Sequence, residues 1–295
     1  MTTKEQVYED LREAGLEPEL VQALVDLAIS EDLMGGSDVT SLATIPETQI
    51  SELDLVTRSS GVIAGIDIAA LVFLSISDNK IAVEKCVTDG STVDSKTCLL
   101  TVKGRTIDLL AAERTALNFL GHLSGIATTT NKWVKETAGT NSQIRDTRKT
   151  TPGLRLLEKY AVKAGGGTNH RMSLNDQALI KDNHIIAAGS IKKAVEKVRD
   201  KFPEIEFEIE VDNLTQLDEA LAAHAQLILL DNFTFDDLQK AVGIVNKKAK
   251  LEASGGLTLE NARKIAETGV DFLAVGALTH SAPVLDIGGD LRTVR

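Results

Sequence analysis

Glu206-Phe-Glu-Ile-Glu-Val211, Gln226-Leu-Ile-Leu-Leu-Asp231, Lys250-Leu-Glu-Ala-Ser254 and Asp271-Phe-Leu-Ala-Val-Gly276 decide the fold, because four β-type runs recur there about every 22 residues. The spacers have helical patterning and the length of one compact crossover, which predicts a parallel sheet returning through helices. The polar or glycine residues at the strand ends are Glu210, Asp231, Ser254 and Gly276, and ligand sites in such folds collect at the carboxyl ends of strands. Period-two alternation puts Glu206, Glu208 and Glu210 on one face of the first run, with Phe207, Ile209 and Val211 on the other.

Working towards the N-terminus, Gln143-Ile-Arg-Asp-Thr147 and Ala178-Leu-Ile-Lys181 extend the series to six strands. The expectation is an α/β barrel, incomplete because the segment is shorter than the roughly 250 residues of an eightfold one. Further upstream the rhythm changes. A polar helix pattern covers about Lys4 to Ser30, and β-type runs (Leu53–Val56, Gly61–Gly65, Ile81–Glu84, Thr97–Val102) then alternate with turns such as Asp89-Gly90. This predicts an α+β domain over residues 1–117 and a barrel domain with a C-terminal tail over residues 118–295. A long helix from about Ile107 would join them, with Leu110, Leu117, Leu120 and Ile126 on one stripe.

The chain of 295 residues has a net charge of −11, so nothing at its overall scale attracts nucleic acid or acidic lipid. The N-terminus lacks a basic region followed by an apolar core, and no stretch reaches the roughly 20 apolar residues of a membrane span. A cytoplasmic location is expected. Cys86 and Cys98 have neither zinc-ligand spacing nor the density of a disulfide scaffold, and read as inert thiols.

One stretch departs from the acidic background. Arg145 to His184 holds eight Lys or Arg against four acids, leaving 24 basic and 39 acidic residues for the rest of a chain that carries 32 and 43. Thr147, Arg148 and Lys149 follow a strand, and Thr151-Pro152 reads as the cap and first residue of the next helix. Gly165-Gly-Gly-Thr168 lets backbone N–H groups approach a ligand just before His170 and Arg171, and Lys181 closes the following strand. These cations suit a small polyanion, with guanidinium forks matched to carboxylate or phosphate. Arg155, Lys159 and Lys163, on the intervening helix, read as surface charges.

Opposite them, Glu210 and Asp231 suit either ribose hydroxyls or a Mg²⁺ that bridges to substrate phosphates. Ser254-Gly255-Gly256 and Val275-Gly276-Ala277 form two consecutive strand-end turns of the kind that grips phosphate.

At this point the motifs become specific. Ala112-Glu-Arg-Thr, Leu123-Ser-Gly-Ile-Ala-Thr128, Asp146-Thr-Arg-Lys-Thr-Thr-Pro-Gly153, Gly165-Gly-Gly-Thr-Asn-His-Arg-Met172, Leu179-Ile-Lys-Asp-Asn-His184, Leu229-Leu-Asp-Asn-Phe233, Glu252-Ala-Ser-Gly-Gly256 and Val275-Gly-Ala-Leu-Thr-His-Ser281 resemble the quinolinate phosphoribosyltransferase family in order and spacing. The resemblance runs from the Asp38-Val-Thr40 turn nearly to the C-terminus, with one departure at Gly288-Gly289, where the family commonly has a larger apolar residue after the first glycine.

The resemblance implies an N-terminal α+β sandwich, an incomplete TIM-like barrel, and a homodimer in which each sandwich covers its partner's barrel mouth. Arg148, His170, Arg171 and Lys181 would bind the two carboxylates of quinolinate, with Arg114 contributed by the other subunit. Lys149 would face phosphoribosyl pyrophosphate beside Thr147. Glu210 and Asp231 would hold ribose and Mg²⁺, and with Lys149 would serve catalysis. Ser254 to Gly256 and Val275 to Ala277 would hold phosphate. The implied reaction yields nicotinate mononucleotide, pyrophosphate and CO₂, with no covalent enzyme intermediate and no obligatory general acid. The rival readings are a nicotinate-type phosphoribosyltransferase without decarboxylation, and a non-enzymatic binder of phosphorylated metabolites.

Overall fold

The computed structural model describes residues 2–77 and 80–293. In chain order it runs α1 (Lys4–Glu13), α2 (Pro18–Leu33), α3 (Val39–Thr44), β1 (Ile50–Thr57), β2 (Gly61–Val62), α4 (Ile66–Ile76), β3 (Ala82–Lys85), β4 (Thr92–Val93), β5 (Cys98–Arg105) and α5 (Thr106–Glu136). There follow β6 (Gln143–Arg145), α6 (Arg155–Ala164), β7 (Ala178–Ile180), α7 (Asp182–Ala188), α8 (Ile191–Lys201), β8 (Phe207–Val211), α9 (Leu214–Ala222), β9 (Leu227–Asp231), α10 (Phe235–Val245), β10 (Lys250–Ser254), α11 (Leu259–Ala266), β11 (Phe272–Ala274), α12 (Ala277–His280) and β12 (Ile287–Thr293). None of the described helices is long and apolar enough to cross a membrane.

The chain divides into two compact units that interleave along the sequence. Met1–Thr129, Leu156–Gly166 and Ala282–Arg295 form one, and Thr130–Arg155 with Gly167–Ser281 the other. The position after Leu117 lies inside α5.

In the first unit, β12, β1, β5 and β3 form an antiparallel sheet in that order. The single helix expected from Lys4 to Ser30 is two. Gly15, at φ 78°, takes the left-handed conformation just past the end of α1, and Pro18 opens α2 with its fixed φ and missing N–H. The Asp89-Gly90 turn does more than reverse the chain. The Asp89 carboxylate caps α4 by accepting from Gly65 N (2.7 Å) and Ile66 N (3.0 Å), and it also accepts from the Tyr160 hydroxyl (2.6 Å). The Gly288-Gly289 departure falls in β12 opposite Val56 and Leu55. A Cβ at 289 would lie 2.8 Å from Glu113 Oε1 and 3.0 Å from Leu53 Cδ1, the far ends of side chains that would have to move for a larger residue.

The second unit has six parallel strands in the order β6-β11-β10-β9-β8-β7. The first strand of the series pairs with the last, as a ring requires, while β6 and β7 form the two edges. This is the unclosed α/β barrel expected from the sequence. Alternation divides each strand between two environments. Ile209, Val211, Ile228, Leu230, Leu251, Ala253 and Leu273 are buried, as are the inner stripes of the crossover helices, such as Leu238, Ala241 and Val245. Burial of that apolar surface at about 25 cal/mol per Å² drives the unit together. The opposite parity carries Glu208, Glu210, Leu229, Asp231, Glu252 and Ser254, and it is this parity that builds the site.

Candidate active site

A cavity of about 590 Å³ opens at the carboxyl ends of these strands. Strand register puts Arg145, Ala274, Ser254 and Asp231 in one row. Thr147, Arg148, Lys149, His170, Arg171, Lys181, Glu210, Asp231, Ser254 and Gly255 all line the cavity, so residues scattered over more than a hundred positions meet there. Glu252, Asn232, Leu179, Leu229 and Ala274 complete the wall.

The remaining candidates lie elsewhere. Gly256 borders a smaller cavity of about 270 Å³ that shares Asn232 and Gly255 with the first. Val275 is buried, Ala277 begins α12, and a Cβ on Gly276 would lie 3.1 Å from Lys149 Cδ. Arg114 is exposed on α5, in the other unit.

The cations are placed by their loops. Lys149 N–H donates to Thr147 Oγ1 (3.0 Å), and its carbonyl accepts from Thr279 Oγ1 (2.8 Å). The helix expected at Thr151-Pro152 begins instead at Arg155; Thr151 to Leu154 form a turn containing Gly153 at φ 84°, closed by Leu154 N–H on the Thr151 carbonyl (3.0 Å). Arg155 is not a free surface charge. It donates to Thr150 Oγ1 (3.0 Å) and to the Met172 carbonyl (3.2 Å), bracing the loop that carries Arg148. Lys159, also expected at the surface, is fully buried.

Arg148 and Arg171 each keep a buried Nε–H without an acceptor among the described residues. Arg171 Nη1 donates to the Gln177 carbonyl (2.8 Å), and burial followed by the like charge of Arg148 holds its pKa below the ordinary arginine value. Each guanidinium therefore buries a donor with no protein acceptor among the described residues, an arrangement that calls for an anion with several acceptor oxygens.

His170 differs from its cationic neighbours. Its Nδ1 accepts the Arg171 backbone N–H (2.7 Å), which assigns the ring proton to Nε2. Nε2 faces inward, 2.8 Å from Glu208 Oε2 and 3.6 Å from Glu252 Oε1. Arg145, counted among the cations of the stretch, also belongs to this floor, with Nη1 2.6 Å from Glu252 Oε2 and the guanidinium 4.7 Å from the Phe272 ring centroid.

Glu208 and Glu252 are fully buried, and neither Glu208 oxygen receives an aligned hydrogen bond. Burial pushes both carboxyls up to about 7, and the charge of Glu208 adds to the effect on Glu252. The donor atoms of His170, Glu208 and Glu252 lie within 4.8 Å of one another. With the proton on Nε2, however, the imidazole presents no lone pair to a cation there, and the cluster fits a proton-holding floor.

The acids near the mouth are held individually. Lys181 Nζ donates to Glu210 Oε2 (2.5 Å), and Asn232 Nδ2 to Asp231 Oδ2 (2.7 Å), leaving Glu210 Oε1 and Asp231 Oδ1 without a protein partner among the described residues. Asn232 takes φ 53° and donates its N–H to the Ser254 carbonyl (2.9 Å). Gly255, at φ 83°, lies so close that a Cβ would overlap the Asn232 amide. Sequence reading passed over Asn232 and Glu252. The signal for Glu252 was its parity with Ser254 two residues on, whereas Asn232 is marked only by its contact with a glycine on the next strand.

Known proteins resemble this chain over most of its length. Residues 38–124 match the family model of the quinolinate phosphoribosyl transferase N-terminal domain, and residues 126–290 that of the C-terminal domain. The chain is 52% identical over 268 residues to a nicotinate-nucleotide pyrophosphorylase [carboxylating] of Mycobacterium leprae, covering 90% of this chain and 94% of that protein. It is 39% identical over 287 residues to a mitochondrial quinolinate phosphoribosyltransferase [decarboxylating] of Nicotiana tabacum, covering 90% of this chain and 81% of that one. The solved structure of the nicotinate-nucleotide pyrophosphorylase from Francisella tularensis superposes with a TM-score of 0.89 at 39% identity, covering 93% of this chain and 96% of the other. Sequence, fold and both domain matches agree over nearly the whole length, and the chain belongs to the quinolinate phosphoribosyltransferase family.

Proposed function

We propose that the protein transfers the phosphoribosyl group of phosphoribosyl pyrophosphate to quinolinate with decarboxylation, giving nicotinate mononucleotide, pyrophosphate and CO₂ for NAD biosynthesis, and does so as a cytoplasmic homodimer. The observation that carries the substrate is the pair of buried, unpaired Nε–H groups on Arg148 and Arg171. A pyridine with two adjacent carboxylates offers an acceptor to each. Nicotinate, with one carboxylate, would leave a donor stranded at a cost of about 1–3 kcal/mol, which disfavours the non-decarboxylating reading.

In this reading Arg148, His170, Arg171 and Lys181 hold the carboxylates, and His170 also accepts the Arg171 backbone N–H. Lys149 and Thr147 face the phosphoribosyl donor, with Ser254, Gly255, Gly256, Val275, Gly276 and Ala277 on its phosphates. As pyrophosphate leaves C1 of the ribose, positive charge grows there, and Glu210 and Asp231 stabilise it. The ring nitrogen bonds to C1 and becomes a pyridinium. The electron pair of the breaking bond to CO₂ then collapses towards that cation, and a proton completes the ring carbon. Mg²⁺ would be held by Glu210 and Asp231, whose unengaged oxygens suit a hard cation, and would supply neutralisation of the leaving pyrophosphate. Arg114, exposed on α5, would complete the neighbouring subunit's site.

The test is to mix the protein with quinolinate, phosphoribosyl pyrophosphate and Mg²⁺ and to follow CO₂ and nicotinate mononucleotide. Folded protein that yields neither rules the reading out.

A further inference from the structure

The two cysteines lie at the antiparallel sheet of the first unit and belong to none of the site residues described above. By simple alternation Cys98 would share the face of Leu100 and Val102 and point into the core. The structure departs from that alternation at one place. Leu55 pairs with Leu100 but Val56 with Cys98, so Leu99 is an extra residue, a bulge in β5. Leu99 and Leu100 are consequently both fully buried, and the parity of everything before them is reversed. Cys98 therefore turns to the outer face with Thr101, its Sγ 3.5 Å from Thr101 Oγ1.

The edge strand β3 pairs antiparallel with β5, Lys85 lies opposite Leu100, and the Cys86 N–H donates to the Leu99 carbonyl (2.9 Å). Cys86, on the outward parity of Glu84, thus sits beside the turned-out Cys98. The two sulfurs are 3.7 Å apart, with Cys86 exposed and Cys98 partly so.

We propose that Cys86 and Cys98 are an oxidisable pair that hydrogen peroxide converts into a reversible intramolecular disulfide bridging β3 and β5. The Cys86 thiolate attacks the peroxide, the O–O bond breaks, and Cys86 becomes a sulfenic acid as one water leaves. Cys98 then attacks the Cys86 sulfur; the S–S bond forms, the S–O bond breaks, and hydroxide departs as a second water with the Cys98 proton. Two thiols and one peroxide become one disulfide and two waters. The division of labour follows from the surroundings. Cys86 is the sulfur a solute can reach. Burial, with the charges of Cys86 and Asp54, pushes the Cys98 thiol up to about 11 despite the opposing Thr101 hydrogen bond, which suits Cys98 to the resolving step. Closing the sulfurs to about 2.05 Å asks for movement mainly of β3, which has a neighbour on one side only.

The experiment uses the full chain, reduced, desalted and exposed to stoichiometric hydrogen peroxide. Intact mass should fall by two hydrogens, digestion should yield a linked peptide containing Cys86 and Cys98, and a dithiol reductant should restore both free thiols. Cys98→Ser should instead carry added oxygen on Cys86, and Cys86→Ser should keep Cys98 alkylatable, with circular dichroism confirming that both variants fold. Added oxygen on wild-type Cys86 while Cys98 stays free, or disulfides only between chains, would overturn the proposal. None of these readouts involves turnover, so they stand apart from the test of the proposed reaction.

Discussion

Arg171 illustrates how a single side chain states its need for a ligand. One nitrogen is tied to the Gln177 carbonyl, another is buried without an acceptor, and Arg148 repels it. Arg171→Ala should raise the quinolinate KM by about tenfold or more and lower kcat, and Arg171→Lys should not restore either, because an ammonium lacks the fork. Steady-state kinetics with each substrate varied separately checks this, and an unchanged KM for quinolinate would remove Arg171 from the clamp. Glu252 makes a pH prediction. Its carboxyl is raised from 4.5 to about 7, so the folded chain binds this proton more tightly than the unfolded one. Its contribution to stability is fully present below about pH 4.5 and is lost as pH rises through about 7. Glu252→Gln, which keeps an oxygen for Arg145 and carries no charge, should therefore gain on the wild type by about 2 kcal/mol between pH 5 and 8 in denaturant unfolding. A pH-independent difference would show that the buried pair does not hold the proton. The cations of Arg145 to His184 were visible in the sequence as a charge anomaly. Their division into a clamp at Arg148 and Arg171, a floor pair at Arg145, a loop brace at Arg155 and a buried Lys159 was not, because composition carries no information on where a long side chain finds its partner.

At the scale of elements, strand-end loops do the positioning. Gly255 and Asn232 belong to loops after neighbouring strands and interlock, since the left-handed Gly255 lets the Asn232 amide approach and Asn232 in turn holds Asp231. Gly255→Ala should cost about 2 kcal/mol or more in stability from the left-handed conformation and the overlap together. It should also raise the KM for phosphoribosyl pyrophosphate, because Asp231 would lose its support. Thermal unfolding and kinetics measure the two effects, and a variant as stable and as active as the wild type would contradict the interlock. Element types and order were legible where apolar period and turn residues agreed, as in the six parallel strands. They were misread where one local feature overrode the pattern: Gly15 and Pro18 divide the first helix, and the turn around Gly153 delays α6 to Arg155. The β5 bulge reverses a face without any sequence marker, since Leu99 and Leu100 look like an ordinary apolar run.

For the whole molecule, the proposed dimer makes its own prediction. Arg114→Ala and Lys181→Ala should each abolish most activity, and mixing the two after subunit exchange should restore up to about a quarter of the wild-type value, since a heterodimer would own one intact site. Proven heterodimers that stay inactive would favour a site complete within one chain. The sequence by itself determined the alternation of strands and helices, the acidic background with its cationic stretch, and the motifs that mark the family, because all of these are read from residues near one another along the chain. Only the tertiary structure decided which candidates share the cavity, that the His170 ring faces Glu208 and Glu252, that burial raises both of those carboxyls, and that Cys86 and Cys98 lie side by side. Each of these depends on strand register and burial, which bring together groups far apart in sequence and set the cost of their charges.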